Sequence, residues 1–254
     1  MKEKDTITIY WTSPNFSLVN QSWTMLYSEP QSLASLLREQ KTDSDLFGCP
    51  AHNDFTFNKF VFKVNIADKH TLPIEYLSSN DFLDNKTKEL VSIKNTGGLV
   101  DLYRVRPNSF KDYTNLVYNL SWIFFADEPV LAKFVSPYCF PKPPAPGVFL
   151  TPGQYDIGKW YRQFNLDYHI PLNTKTLIFE ENNPLFYIEF DSIKKIEFKE
   201  YNYSSELKSL AEETSAAPFR YGSRKSLKER YRLANNGSYR NKILTEIKKN
   251  LIEE

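Results

Sequence analysis

The alternation of apolar and polar positions predicts strands over most of the chain. In Thr6–Trp11, Ile7, Ile9 and Trp11 alternate with Thr8 and Tyr10, the period of two expected of a half-buried strand. Pro14 ends this run. Ser28-Glu29-Pro30 then opens a short helix: Ser28 suits a cap, Pro30 a first turn, and Leu33, Leu36 and Leu37 form an apolar stripe. Lys41–Pro50 is polar and reads as a loop. Phe55–Ile66 carries the clearest strand signal. Phe60, Phe62, Val64 and Ile66 share one face and Phe55 and Phe57 the other, so the phase changes at Asn58-Lys59, as at a hairpin turn or a bulge. Asn80–Ser92 reads as a surface helix, followed by a Gly97-Gly98 turn.

From Leu99 to Phe198 the strand signals are densest. Leu116–Phe125 is a strand, Asp127-Glu128-Pro129 a turn, and Val130–Val135 the return. Pro141–Pro152 holds five prolines and reads as a stiff, long loop inside one domain. Tyr155–Ile170, Lys175–Glu180, Leu185–Phe190 and Ile193–Phe198 are further strands. Trp122–Phe134 echoes Leu177–Phe190: each has an apolar strand, an acidic turn with proline and a second strand. Two matched hairpins in a sandwich would give that echo, and so would the small vocabulary of turn residues. After residue 203 the period changes. Ser204–Thr214 and Lys225–Leu233 read as short helices. In Tyr239–Ile252, Ile243, Leu244, Ile247, Leu251 and Ile252 lie on one side, so this helix is expected to dock, with its basic residues facing outward.

Composition sharpens the picture. Of 254 residues, 15% are aromatic, glycine is scarce at 8 and proline plentiful at 15, a balance that favours sheet with prolines at edges and turns. The net charge of +1 gives the whole molecule no field to steer nucleic acid or membrane. Two cysteines, Cys49 and Cys139, make no disulfide framework, which points to a reducing compartment. MKEKDTITIYW lacks the apolar core of a signal peptide, and no apolar run approaches the ~18 residues that span a bilayer. A cytoplasmic setting is expected.

Few residue groups suggest chemistry. His52-Asn53-Asp54 with His169 matches the residue types of a two-histidine, one-carboxylate iron site. Against it, His52 sits in a loop-like stretch and no arginine follows His169 to hold a keto acid. His52, His70 and His169 are therefore expected to lie apart, with no cofactor bound. The cysteines have no C-x-x-C spacing, and the carboxylates of Asp127-Glu128, Glu180-Glu181 and Glu189/Asp191 sit at turns, where solvated charge is the ordinary state. Phosphate-binding glycine loops and a G-x-S-x-G elbow are absent. Tyr155, Trp160, Tyr161 and Arg162, in a run of aromatic, charged and amide side chains, are candidates for a pocket mouth; an exposed sheet face fits them equally. From Arg220 to Glu254 there are ten Lys and Arg against four Glu, with Tyr221, Tyr231 and Tyr239 interleaved. That pattern suits a solvated helix face on the core or on a partner, and it also suits nucleic-acid binding.

The stretches ITIYWTSPNFSLVNQSWTMLYSEPQSL, GQYDIGKWYRQFNLDYHIP, LIFEENNPLFYIEF and ILTEIKKNLIEE together resemble an uncharacterised protein family of marine cyanobacterial contractile-tailed phages, over most of the chain. Leu116–Asp191 is also remotely similar to cupin-like proteins of unknown function. The resemblance implies a phage protein in the host cytoplasm or the virion and a cupin-like fold; the alternation and turn pattern itself leads to an antiparallel, jelly-roll-like sandwich from about Thr6 to Phe198. Cupin enzymes hold metal with clustered histidines, and here the histidines are scattered. The expected plan is a mainly β protein, with a β-sandwich domain at 1–203 and a helical, basic segment at 204–254. The expected function is non-enzymatic binding of a phage or host protein, with a homo-oligomer in view; a cupin-like or non-haem iron oxygenase-like enzyme is the alternative.

Overall fold

The computed structural model describes residues 5–12, 30–39, 49–63, 70–73, 103–107, 112–139, 143–179, 183–214 and 226–252. In chain order its elements are β1 (Thr6–Thr12), β2 (Gln31–Ser32), α1 (Leu33–Glu39), α2 (Pro50–Thr56), β3 (Lys59–Lys63), β4 (His70–Pro73) and β5 (Tyr103–Pro107). There follow β6 (Tyr113–Ala126), β7 (Leu131–Val135), β8 (Phe149–Leu150), β9 (Gly153–Asp156), β10 (Gln163–Pro171), β11 (Thr176–Phe179), β12 (Pro184–Phe190) and β13 (Lys195–Glu200). Helices α3 (Ser205–Thr214), α4 (Leu227–Ala234) and α5 (Gly237–Lys249) close the chain. The helix expected at Asn80–Ser92, the Gly97-Gly98 turn and most of the loop at Lys41–Pro50 lie outside the described residues.

The fold is mainly β. A first sheet runs β13-β1-β6-β10-β8, and a second runs β2-β3-β12-β7-β9; β4 and β11 form a separate pair. On one edge of β6 lies β10, and the other edge is shared by β5 near residues 114–118 and β1 near residues 123–126. Among the described strands the pairs are antiparallel except β1 and β13, which run parallel from Thr6↔Lys195 to Trp11↔Glu200. This departs from the all-antiparallel expectation. It arises because β13 does not fold back on β12: the chain leaves the second sheet at Phe190 and returns to the first beside β1. Asn58 stitches that crossing. Its Nδ2 donates to the carbonyls of Ser192 and Lys194, and its Oδ1 accepts from the Ile196 N–H.

The two sheets face each other across one core. Ile7, Ile9, Trp11, Trp122, Phe124 and Leu166 of the first sheet meet Phe62, Ala132, Phe134, Phe186 and Ile188 of the second. At its centre the Phe62 and Phe186 rings stack at 4.5 Å, with the Trp122 ring 5.0 Å from Phe62. The outward face of the first sheet is covered in turn. Tyr10, Ile123 and Phe125 pack on Leu207, Leu210 and Ala211 of α3 and on Tyr239, Ile243 and Ile247 of α5. So the end of β6 from Trp122 to Ala126 is buried on both faces, which is why it is an unbroken apolar run. The docking of α5 through Ile243 and Ile247 agrees with the periodicity; Leu251 packs beside them and bridges to Tyr201. Fully burying two isoleucines contributes about 1.5–3 kcal/mol each. One basic residue of α5 does not face outward: Arg240 is half-buried and donates to the Gly158, Ala126 and Asp127 carbonyls.

Four expectations about local structure change. Pro30 is not in the first turn of a helix: the two-residue β2 follows it, and α1 starts at Leu33. Phe55 and Phe57 are not in a strand, because Pro50 behind Cys49 starts α2, and Asn58, in the left-handed region at φ 53°, turns the helix end into β3. The two acidic, proline-containing turns are not hairpin turns. β6 pairs in the first sheet while β7 pairs in the second, and β11 pairs with β4 while β12 pairs with β3 and β7. The hydrogen bonds of the first turn go elsewhere: Asp127 exchanges bonds with the Thr8 backbone, and the Val130 N–H donates to Asp156 Oδ1. Finally, Tyr155–Ile170 is not one strand. It breaks at Ile157–Lys159, where the chain passes from β9 in the second sheet to β10 in the first.

Candidate functional site

That break distributes the four pocket-mouth candidates. Asp156 forms the corner: its Oδ1 accepts from the Gly158 N–H at 2.9 Å, and its Oδ2 lies 2.9 Å from Lys159 Nζ. Tyr155, before the corner, points between the sheets and stacks on Phe134 at 5.4 Å. Burial pushes its phenol up to about 12, and its buried hydroxyl has no hydrogen-bond partner among the described residues. Tyr161, beyond the corner, points into the core beneath the helices. Its hydroxyl is 3.0 Å from that of Tyr201, and its carbonyl accepts from Thr214 Oγ1 at 2.6 Å. Trp160 and Arg162 point the other way, since successive side chains alternate in extended backbone. The Arg162 guanidinium lies 5.8 Å from the Trp160 ring, and the Tyr231 ring of α4 meets Trp160 edge-on at 4.4 Å. So the structure brings Trp160 and Arg162 together, adds Tyr231, and sends Tyr155 and Tyr161 into two different cores.

The histidines fall in different elements. His52 and Asp54 lie two apart in α2, which puts them on different sides of the helix, and His169 is in β10. His169 is buried, stacks on Phe149 at 4.7 Å, and is held below the ordinary imidazole range by burial, against the nearby charge of Asp167. Among the described residues no group of three His, Cys, Asp or Glu side chains comes together as a metal site would require. Both cysteines are free; burial pushes the Cys139 thiol up, which disfavours the nucleophilic thiolate.

A second constellation lies on the outward face of the second sheet. Register puts Lys59 of β3, Glu189 of β12 and Lys133 of β7 in one row across it. Lys59 Nζ is 3.4 Å from Glu189 Oε1 and 3.7 Å from the centre of the Phe55 ring. The Tyr138 ring lies 5.4 Å from Phe55 and 4.8 Å from Tyr187, and its hydroxyl donates to Glu189 Oε1 at 3.0 Å. Burial, and then the Glu189 charge, raise the Tyr138 phenol, so it is a neutral donor at any physiological pH. Phe55 and Phe57 are 44% and 47% exposed, and Tyr138 39%. The result is a cation clamped under two rings, neutralised by a carboxylate, with aromatic surface left in water. Beside it α1 covers Val61 and Tyr187 with Leu33, Leu36 and Leu37. The phenylalanine alternation of β3 marks its inward face and carries no sign of this one. The signal present was the facing charge pattern of Lys59, Lys133 and Glu189, together with Pro50 as a helix start.

Comparison with family models, curated proteins and solved structures finds no significant match to this chain.

Proposed function

We propose that this chain is a non-enzymatic phage protein that docks a phage or host protein through the Phe55, Phe57 and Tyr138 face of the second sheet. One observation carries the reading: the Phe55 and Tyr138 rings are exposed yet held in place, and Phe57, 47% exposed, stands at the end of the same helix as Phe55. Phe55 is fixed by its contacts with Lys59 and Tyr138, and Tyr138 by Glu189 and Tyr187. Rigid aromatic side chains contribute contact area at little entropic cost, and such residues dominate binding energy at protein interfaces. The Lys59–Glu189 pair cancels its own charge locally, so the patch favours protein over a polyanion. The resemblance to phage-encoded proteins supports infected-cell cytoplasm or the particle as the setting. No described helix is long and apolar enough to cross a membrane.

The test is site-specific photocrosslinking in infected host cells. p-Benzoylphenylalanine at Phe57 is expected to give a discrete crosslinked species. The same probe at Ile193, 97% exposed between β12 and β13, serves as the control and is expected to give none. Equal labelling from both positions, or a Phe57 product consisting only of a second copy of this chain, overturns the proposal.

A further inference from the structure

Helix α4 has two unlike sides. Leu233 and Ala234 turn toward the core beneath the helices. Lys228, Tyr231 and Arg232 stand at spacings of three and four, so they share the other side. Lys228 and Arg232 are exposed, and Tyr231 is 48% exposed even though its ring meets Trp160. Arg162 extends the row past Trp160. The position of this face is fixed by more than packing. A capping box formed by Ser226 and Glu229 starts α4, and the Asn236 side chain caps α5 immediately after it.

Charge is concentrated here. Residues 226–252 hold seven Lys and Arg against two Glu, in a protein whose total is +1. The rest of the chain is therefore acidic on balance, and a polyanion would be directed to this end. Arg240 is committed to the Gly158, Ala126 and Asp127 carbonyls and takes no part. What remains on one surface is the Tyr231 ring, 48% exposed and seated edge-on against the half-buried Trp160 indole, bordered by Lys228, Arg232 and Arg162. Cations alone fit any polyanion. Rings set among cations fit a polyanion that carries flat, stackable groups and leaves them unpaired.

From this we infer that the α4 face, with Trp160 and Arg162, binds single-stranded nucleic acid, the bases stacking at Tyr231 and Trp160 and the phosphates pairing with Lys228, Arg232 and Arg162. The inference is independent of the protein-docking face on the second sheet, which lies on the other sheet of the molecule. Of the two readings that the basic pattern allows, the solvated helix face describes α5, whose apolar side is docked, and nucleic-acid binding is assigned to the exposed ring of α4.

The experiment is fluorescence anisotropy of the full chain with a labelled 20-nucleotide oligothymidylate, a labelled duplex of the same length and a labelled oligoglutamate. The single strand is expected to bind, and more tightly than either competitor. Three phosphate contacts predict a log–log salt slope of about −2. Tyr231→Ala is expected to weaken binding by about tenfold and Tyr231→Phe to leave it unchanged, since stacking needs the ring and not the hydroxyl. Exchanging both exposed cations (Lys228→Glu with Arg232→Glu) leaves the docked side of α4 untouched and is expected to abolish binding. Melting temperature is read for every variant, so that only folded protein is compared. The inference is overturned by any of three results: no binding of the single strand in low salt, oligoglutamate or duplex bound as tightly, or Tyr231→Ala indistinguishable from wild type.

Discussion

The outward faces of the two sheets are finished in different ways. On the first sheet, Tyr10, Ile123 and Phe125 are roofed by α3 and α5, and the polar atoms beneath the roof are paired: Tyr161 with Tyr201, Thr214 with the Tyr161 carbonyl, Tyr239 with the Leu210 carbonyl. On the second sheet, the seven-residue α1 covers only part of the face, and the remainder carries Lys59, Glu189 and Lys133 beneath partly exposed rings. The difference follows from the strands themselves. β6 is apolar at successive positions from Trp122 to Ala126, so leaving either side in water forfeits burial. β3, β7 and β12 place charge on their outward positions, so their open side is tolerated in solvent. A sealed face is where stability should reside, and an open one is where binding can occur at little structural cost.

The sharpest way to break this comparison is to open the roof. Ile247→Ala removes a side chain with no exposure from the α5–sheet contact and is expected to cost about 2–5 kcal/mol in a denaturant titration. A loss below about 1 kcal/mol would mean that α5 rests on the sheet without contributing to the core. Next comes the corner where the roof meets the sandwich. A Cβ on Gly158 would sit 2.3 Å from the Glu128 carbonyl oxygen and 2.7 Å from the Pro129 Cα, both backbone atoms. Gly158→Ala is therefore expected to cost about 1–3 kcal/mol by forcing the two crossings apart. Arg240→Met keeps the stem and removes the donors to three carbonyls on those same crossings; a loss of about 1.5–3 kcal/mol is expected.

Alkaline pH probes the same roof without mutation. Tyr161 and Tyr201 are raised well above the ordinary phenol value, chiefly by burial, and Tyr239 is raised by burial to about 12. A raised folded value means the neutral phenol is favoured in the native state, so this contribution is complete below the unfolded value near ~10. Above it the unfolded chain sheds protons that the folded chain keeps, and stability falls as pH rises through the folded values. Thermal melts from pH 8 to 11 should show a decline that begins near pH 10 and is shallower in Tyr239→Phe. A flat profile would place these phenols in solvent.

Much of this contrast is legible in the sequence, and the failures share a cause. The strand from Thr6, the apolar stripe of α1, the run at Leu116–Phe125 and the docked face of α5 all follow from periodicity, because burial on a known side imposes it. What periodicity does not carry is the partner of each strand. Asp127-Glu128-Pro129 reads as a hairpin turn because turn residues report a reversal and not which sheet receives the returning strand; here that is decided by Thr8, Asp156 and Arg240, far away in sequence. The same gap hid the candidate surfaces. Tyr155 to Arg162 looked like one group because they are neighbours in the chain, whereas the corner at Asp156 sends them to three places. Tyr231 joins Trp160 from α4, and Tyr138 joins Phe55 from beyond β7, with no local signal for either meeting.

The smallest effect belongs to the open face, and it decides whether the contrast is real. Phe57 follows α2 as its C-cap residue; its backbone N–H donates to the Asp54 carbonyl, and a side-chain substitution leaves that bond in place. Its side chain is 47% exposed. Phe57→Ser should therefore change stability by no more than about 0.5 kcal/mol, the range of surface substitutions away from special features. The comparison with Ile247→Ala is then direct, since both remove a large apolar side chain, one from an exposed helix end and one from beneath the roof. If Phe57→Ser melts with the wild type while abolishing the crosslinked species expected from this face, with the probe now at Phe55, the ring serves a partner and not the fold. If it instead costs as much as Ile247→Ala, Phe57 is part of a packed surface, the second sheet is sealed after all, and its aromatic face is not a docking site.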